Sequence, residues 1–378
     1  MSIRKIIYVS GTRADYGLMR ETLKKLASAS EIDLAICVTG MHLSPVYGNT
    51  IDEIRNDGFK VCGSILTDVE NTTHSVMAKS IGQTIIGLTD IFAKERPDIV
   101  LLLGDRGEML AAAITAVHLN IPLVHIHGGE RSGTVDEMVR HAISKLAHYH
   151  FVATEASSQR LLAMGEVKES IFVVGAPGLD EIKLHNPCTR EEFLNYYQLD
   201  PQKKIALLIY HPVVQEYDEL KQQFNNAIKA VLALDLQLIC LQPNSDAGGQ
   251  LIREELARYA TNPNILIHTH LLRKNYIDCL AHVDIMLGNS SSGIIEAASF
   301  NLPVVNIGTR QNLRERSNNV FDVQTDFEAI KEGLMKALRQ DNTQYINCYG
   351  DGNTSERCYQ LLKNINLNKQ ILNKCNAY

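Results

Sequence analysis

One repeated pattern constrains this chain more than anything else. A short unbroken run of Ile, Leu and Val is followed by a polar turn and then by an amphipathic segment. The runs fall at 3–9, 33–38, 99–103, 123–126 and 151–154, and again at 205–210, 236–241, 265–268, 285–287 and 304–307. A strand covered on both faces is apolar at every position, so runs of this kind predict parallel strands. The segments between them predict helices. Leu18, Met19, Leu23, Leu26 and Ala27 share one helical face. So do Phe327, Ile330, Leu334 and Leu338, after Thr325 and Glu328 at capping-box spacing. Alternating strands and helices imply an α/β fold with parallel sheets. Gly and Pro cluster at 174–180 (VGAPGLD), between the two sets of runs. The expected organisation is therefore a Rossmann-like domain over 1–175 and a second over 176–355. A C-terminal helix within 356–378 would be free to pack back on the first domain. Two doubly wound domains facing across a cleft would bind a ligand at the carboxyl ends of their strands.

Composition excludes several other classes. The net charge of −6 rules out a generally basic nucleic-acid coat, though not a local basic pocket. Trp is absent and aromatics are 6%, so stacking platforms for single strands are not expected. Apolar residues at 45% are far above what disordered chains carry. The eight cysteines are scattered without a CxxC pair, which argues against a disulfide framework. The first residues lack a signal-peptide pattern, and no run approaches the length of a membrane span. A cytoplasmic protein is expected, with no membrane and no nucleic-acid partner.

Polar, Gly-rich peptides collect just after the apolar runs: SGTRADYG, TGMH, GDRGE, HIHGGE, YHPVV, QPNSDAGG, GNSSSG and IGTRQ. This is where an α/β enzyme keeps its site. GDRGE contributes Asp105 and Arg106. HIHGGERSGTVDEMVRH contributes His125, His127, Glu130, Asp136, Glu137, Arg140 and His141. Carboxylates and imidazoles crowded at strand ends suit acid–base chemistry. The plainer readings are polar packing for His125 and His127, and helix-dipole pairing for Asp136 and Glu137. His148 and His150 are most simply strand-edge residues. No spacing implies a third metal ligand, so no metal is expected. In GNSSSG (288–293), hydroxyls and free N–H groups at a helix start suit a diphosphate, with Glu296 a turn further on for ribose hydroxyls. An ordinary helix cap accounts for the same residues. His211 and Arg310 follow strands and suit phosphates. Neither GxGxxG nor GxxxxGK[ST] occurs.

In order along the chain, GTRADYG, YGNT, GDR, HIHGGE, DEMVRHAISKLAHYHF, HPVV, PNSDAGG, GNSSSGIIE, INIGTRQ and YGDGN resemble the UDP-N-acetylglucosamine 2-epimerases. The similarity is greater to the hydrolysing branch, which feeds nonulosonic (sialic-type) acid synthesis. The resemblance implies a fold of the glycosyltransferase B type and a UDP-sugar ligand with UDP as product. It also implies no metal or redox cofactor and a homo-oligomer, expected as a dimer. In the implied reaction the C2 proton and UDP are eliminated, water adds at C1, and a proton returns to the opposite face of C2. Asp105 and Asp136 match catalytic carboxylates. Arg13, His211, Asn244, Ser290, Ser291, Gly293, Glu296 and Arg310 match UDP and substrate contacts. His127 departs from a Glu found in much of the family, so Asp105, His127, Glu130 and Asp136 together are the expected acid–base group. The first expectation for the substrate is UDP-N-acetylglucosamine, giving N-acetylmannosamine. The alternative is UDP-2,4-diacetamido-2,4,6-trideoxyglucose (UDP-N,N'-diacetylbacillosamine), for legionaminic acid. A non-hydrolysing epimerase and a glycosyltransferase of the same fold share the nucleotide clamp and remain competing readings.

Overall fold

The computed structural model describes residues 3–69, 74–131, 135–243, 249–269, 271–340 and 344–377. Its strands in chain order are β1 (Arg4–Ser10), β2 (Ile32–Thr39), β3 (Val61–Ile65), β4 (Ile99–Leu103), β5 (Leu123–Ile126), β6 (Tyr149–Val152) and β7 (Ile171–Val173), then β8 (Ile205–Ile209), β9 (Gln237–Leu241), β10 (Ile265–His268), β11 (Ile285–Gly288), β12 (Val304–Ile307) and β13 (Val320–Val323). All ten apolar runs overlap strands, the run at 151–154 only through 151–152 at the end of β6. The strands form a seven-stranded sheet in the order β3-β2-β1-β4-β5-β6-β7 and a six-stranded sheet in the order β10-β9-β8-β11-β12-β13. Every pairing is parallel.

Three strands have no counterpart among the runs: β3, β7 and β13. Each lies at the edge of its sheet. Their residues are largely half-exposed, so they need no continuous apolar run.

The chain divides into two compact units, residues 1–181 with 349–378, and residues 182–348. Residues 349–355, expected with the second domain, lie in the first unit. The reason is local bonding: Ala176 N donates to the Tyr349 carbonyl at 2.7 Å, and Thr354 N donates to Asp180 Oδ1 at 2.9 Å. The helix Thr354–Asn364 then buries Cys358 and Leu362 in the core that holds Ile6, Tyr8 and Leu23.

In each unit the winding reverses beside the first strand. β1 sits between β2 and β4, and β8 sits between β9 and β11. The loops after these strands diverge and leave a crevice at the carboxyl edge, the usual ligand position in such sheets. The helix Arg13–Ala27 starts at the first crevice, where Thr12 and Asp15 form a reciprocal capping box. The helix Phe327–Leu338 is capped by Asp326, not by the Thr325–Glu328 pair expected from spacing. All eight cysteines are free. Among the described residues, no helix is long and apolar enough to cross a membrane.

Candidate active site

In the first unit, the helix Val135–Leu146 carries Arg140, which contacts three of the residues expected to form the acid–base group. Arg140, with 5% of its side chain exposed, pairs through Nη2 with Asp105 Oδ2. Its Nη1 donates to the His127 carbonyl at 2.9 Å and faces Glu130 Oε2 at 3.7 Å. Glu130 Oε1 in turn faces His127 Nδ1 at 3.2 Å. Three of the four expected acid–base residues thus gather around one guanidinium, whose planar fork suits two carboxylates at once. The fourth, Asp136, is exposed and stands four residues before Arg140, on the same helix face.

The peptide HIHGGE folds as it does for identifiable reasons. His127 has φ of +61°, a left-handed backbone that costs a side-chain-bearing residue about 1–2 kcal/mol. Its N–H donates to the Phe151 carbonyl at 3.0 Å, which together with the Arg140 bond to its carbonyl holds that conformation. Strain of this sort concentrates at functional sites. Gly129 has φ of +75°, and a Cβ there would stand 2.5 Å from the Ser157 carbonyl oxygen, so only glycine fits. His125 is a packing residue rather than an acid–base group. It is fully buried, its Nε2–H donates to the Gly104 carbonyl at 2.7 Å, and its Nδ1 accepts from Ser144 Oγ at 3.1 Å. Burial lowers its pKa to about 3, so it stays neutral.

The crevice beside β1 holds a second polar group that sequence reasoning did not find. Asp15 accepts from the Gly11 and Thr12 N–H groups at 3.0 and 2.7 Å, and pairs with the Ser10 hydroxyl. Ser10 Oγ also meets His42 Nε2 at 2.9 Å. Burial raises the Asp15 carboxyl despite these bonds and lowers His42 to about 4. A buried carboxylate and neutral imidazole therefore fix the loop between β1 and its helix. Arg13, expected near the nucleotide, is half-exposed and pairs with Glu53 Oε1 at 3.0 Å. Arg106 pairs with Glu108 at 3.2 Å.

In the second unit, His211 and Asn289 join the two loops at the switch point. His211 N donates to Asn289 Oδ1 at 2.7 Å, and Asn289 Nδ2 donates back to the His211 carbonyl at 2.8 Å. The Asn289 carbonyl accepts from Arg310 Nη1 and from Gln311 Nε2, each at 3.0 Å. Histidine, serine loop and late arginine are thereby brought together. Gly288 permits this: its φ is +124°, and a Cβ would stand 2.0 Å from the Ile209 carbonyl oxygen. Ser290 caps the helix Ser291–Ile295, accepting from Ser292 N at 3.3 Å. That helix has only five residues, so its dipole adds little. Gly293 packs against Val304. Glu296 is buried, pairs with Arg273 Nη2 at 2.6 Å, and accepts from the Ser292 hydroxyl, which also meets Tyr276 OH. Arg273 and Tyr276 carried no signal in the sequence beyond lying nearby. Asn244 lies outside the described residues. Among the described residues, no group of three His, Cys, Asp or Glu side chains is arranged to hold a metal ion.

Comparisons with known proteins bear on the family and the fold. A family model described as UDP-N-acetylglucosamine 2-epimerase matches residues 24–363. A UDP-N,N'-diacetylbacillosamine 2-epimerase (hydrolyzing) of Legionella pneumophila is 66% identical over 376 residues, covering 100% of both chains. A GDP/UDP-N,N'-diacetylbacillosamine 2-epimerase (hydrolyzing) of Campylobacter jejuni is 34% identical, covering 85% of each. The crystal structure of a UDP-GlcNAc 2-epimerase from Neisseria meningitidis bound to UDP-GlcNAc superposes with a TM-score of 0.79 at 20% identity, covering 95% of this chain and 100% of that one. At that identity the likeness speaks for the fold alone.

Proposed function

Since the chain belongs to the UDP-N-acetylglucosamine 2-epimerase family, we propose that it is a hydrolysing UDP-sugar 2-epimerase whose substrate is UDP-N,N'-diacetylbacillosamine. The observation that carries the choice of sugar is the 66% identity, over the whole chain, to a relative of that name. It favours the second of the two substrates expected from the sequence over UDP-N-acetylglucosamine. Synthesis of a legionaminic-type nonulosonic acid, in the cytoplasm and by a homodimer, belongs to the same proposal.

The chemistry assigned to the site is elimination followed by hydration. A base removes the C2 proton while the C1–O bond to UDP breaks, leaving a C1–C2 double bond. Water then adds its oxygen to C1 and a proton is delivered to the opposite face of C2. The products are UDP and the free 2-epimer. Two proton transfers on opposite faces need more than one titratable group, which the set Asp105, His127, Glu130 and Asp136 supplies. Arg140 gives the geometry of three of them. Arg13, Arg106, His211, Asn244, Ser290, Ser291, Gly293, Glu296 and Arg310 are the proposed nucleotide contacts. Cationic and N–H donors there would stabilise the departing diphosphate.

The test is a side-by-side assay of the two nucleotides without any acceptor. Release of UDP and free 2-epimer with higher kcat/KM on UDP-N,N'-diacetylbacillosamine is expected. Turnover of UDP-N-acetylglucosamine alone would overturn the choice of sugar. A product that keeps UDP would overturn the hydrolysing assignment.

A further inference from the structure

The first unit buries a second charged cluster, outside the acid–base group. His148 and His150, expected at a strand edge, lie within it or beside it, both buried. Its centre is Glu166, whose side chain is 0% exposed. The carboxylate meets Lys145 Nζ at 2.7 Å, Lys374 Nζ at 2.6 Å and His150 Nε2 at 2.9 Å. Lys374 also donates to the carbonyls of Ser144, Lys145 and Ala147 at 3.1, 2.9 and 2.6 Å. These carbonyls lie at and just past the end of the helix Val135–Leu146, where the negative end of the dipole favours an ammonium. The segment bearing Lys374 is tied down just beyond it, at Asn376 and Ala377. Lys145 Nζ donates to Asn376 Oδ1 at 2.6 Å, and Ala377 N donates to the Gly165 carbonyl at 2.8 Å.

The capped helix is the one that carries Arg140. Its last turn makes a further connection. Ser144, whose carbonyl Lys374 caps, donates its hydroxyl to His125 Nδ1, and His125 Nε2–H holds the carbonyl of Gly104, the residue before Asp105. Gly128 makes room for this pair, since a Cβ on it would stand 2.9 Å from both His125 Nδ1 and Ser144 Oγ. Two bonded routes therefore run from one helix to Asp105. One passes through the Arg140 fork to the carboxylate. The other passes through Ser144 and His125 to the backbone.

We propose that Lys374 is a positioning residue for the acid–base group: by fixing the carboxyl end of the helix Val135–Leu146 it sets the place of Arg140 and Asp105. It touches no reacting atom. The chemistry it serves is that of the proposed epimerase, so the proposal rests on that reading. A lysine that only anchored the segment 373–377 would stabilise the fold and leave turnover alone. A lysine that sets the helix controls turnover, because displacement of a catalytic group by about 1 Å costs on the order of 100-fold in rate.

The test uses the full chain with Lys374→Met, Lys374→Arg and the double variant Lys374→Met/Glu166→Gln. The double variant removes both charges, so it leaves no buried carboxylate short of its cation if the single variant fails to fold. Ile330→Ala, in the core of the other unit, supplies a comparable loss of stability without touching the helix. Readouts are steady-state UDP release and amide hydrogen exchange over 135–146. For Lys374→Met and the double variant, kcat is expected to fall about 10-fold or more with KM within about twofold. Exchange over 135–146 is expected to accelerate, and Lys374→Arg to recover part of both effects. Ile330→Ala should change neither. Wild-type kcat in the folded Lys374→Met or double variant, or unchanged exchange over 135–146, overturns the proposal. If the wild-type protein turns over neither nucleotide, the functional reading fails by itself, and the exchange comparison still decides whether Lys374 holds the helix.

Discussion

Replacing Arg140 by Met is the most informative single perturbation of the first unit. The guanidinium is 5% exposed and faces Asp105, Glu130 and the His127 carbonyl. Removing one member of a buried ion pair costs about 3–5 kcal/mol, mostly from the charge left behind. Glu130 is 4% exposed and belongs in that class. Asp105 is 22% exposed and loses less, because water reaches it. The lower end, about 3 kcal/mol, is therefore expected. For a unit of about 200 residues this lowers Tm by about 6–12 °C. Thermal unfolding followed by circular dichroism measures it. A double-mutant cycle with Glu130→Gln locates the source. If buried charge dominates, adding Glu130→Gln to Arg140→Met recovers about 1–2 kcal/mol instead of costing more. Arg140→Lys keeps the charge but not the fork, and should fall between wild type and Met. A Tm within about 2 °C of wild type, or strictly additive variants, would refute the hub argument.

Asp105→Asn should abolish UDP-sugar turnover while UDP still binds by calorimetry, and near-normal turnover would remove Asp105 from the mechanism. Stability should fall between pH 7 and pH 5. Neutral His125 is required in the fold, where burial holds its pKa at about 3, whereas in the unfolded chain it protonates near its ordinary value of 6.5. The unfolded state thus takes up the extra proton as pH drops, at a cost of about 2 kcal/mol by pH 5. The difference between urea midpoints at pH 7 and pH 5 should shrink in His125→Asn. Gly129→Ala should destabilise by about 2 kcal/mol or more, since both its backbone conformation and the Ser157 carbonyl exclude a side chain, and chemical denaturation measures the loss. Glu296→Gln should weaken UDP binding about tenfold if the carboxylate meets ribose hydroxyls, and unchanged affinity would confine Glu296 to its pairing with Arg273.

Much of this architecture is written in local sequence. Unbroken apolar runs reveal central strands because both faces are covered, and polar Gly-rich peptides after them reveal the crevice loops. What stayed hidden depends on contacts between distant residues. The edge strands β3, β7 and β13 are half-exposed and lack a run. The return of residues 349–364 to the first unit rests on bonds to Ala176 and Asp180 that no local pattern announces. Arg140 was visible as a charge in the DEMVRH peptide, but its role comes from Asp105 and Glu130, 35 and 10 residues away. Lys374 reaches carbonyls 227–230 residues before it. The GNSSSG loop was legible as a cap, whereas the shortness of the helix after it was not.

If the first unit's acid–base group eliminates UDP across C1 and C2 and then hydrates the product, the hydrogen at C2 of the product comes from solvent. Running the reaction on UDP-N,N'-diacetylbacillosamine in D2O, with nuclear magnetic resonance of the sugar and quantitation of UDP, tests it most directly. One UDP is expected for each free 2-epimer, with deuterium at C2. A product that retains UDP, or one that retains its original hydrogen at C2, would contradict it.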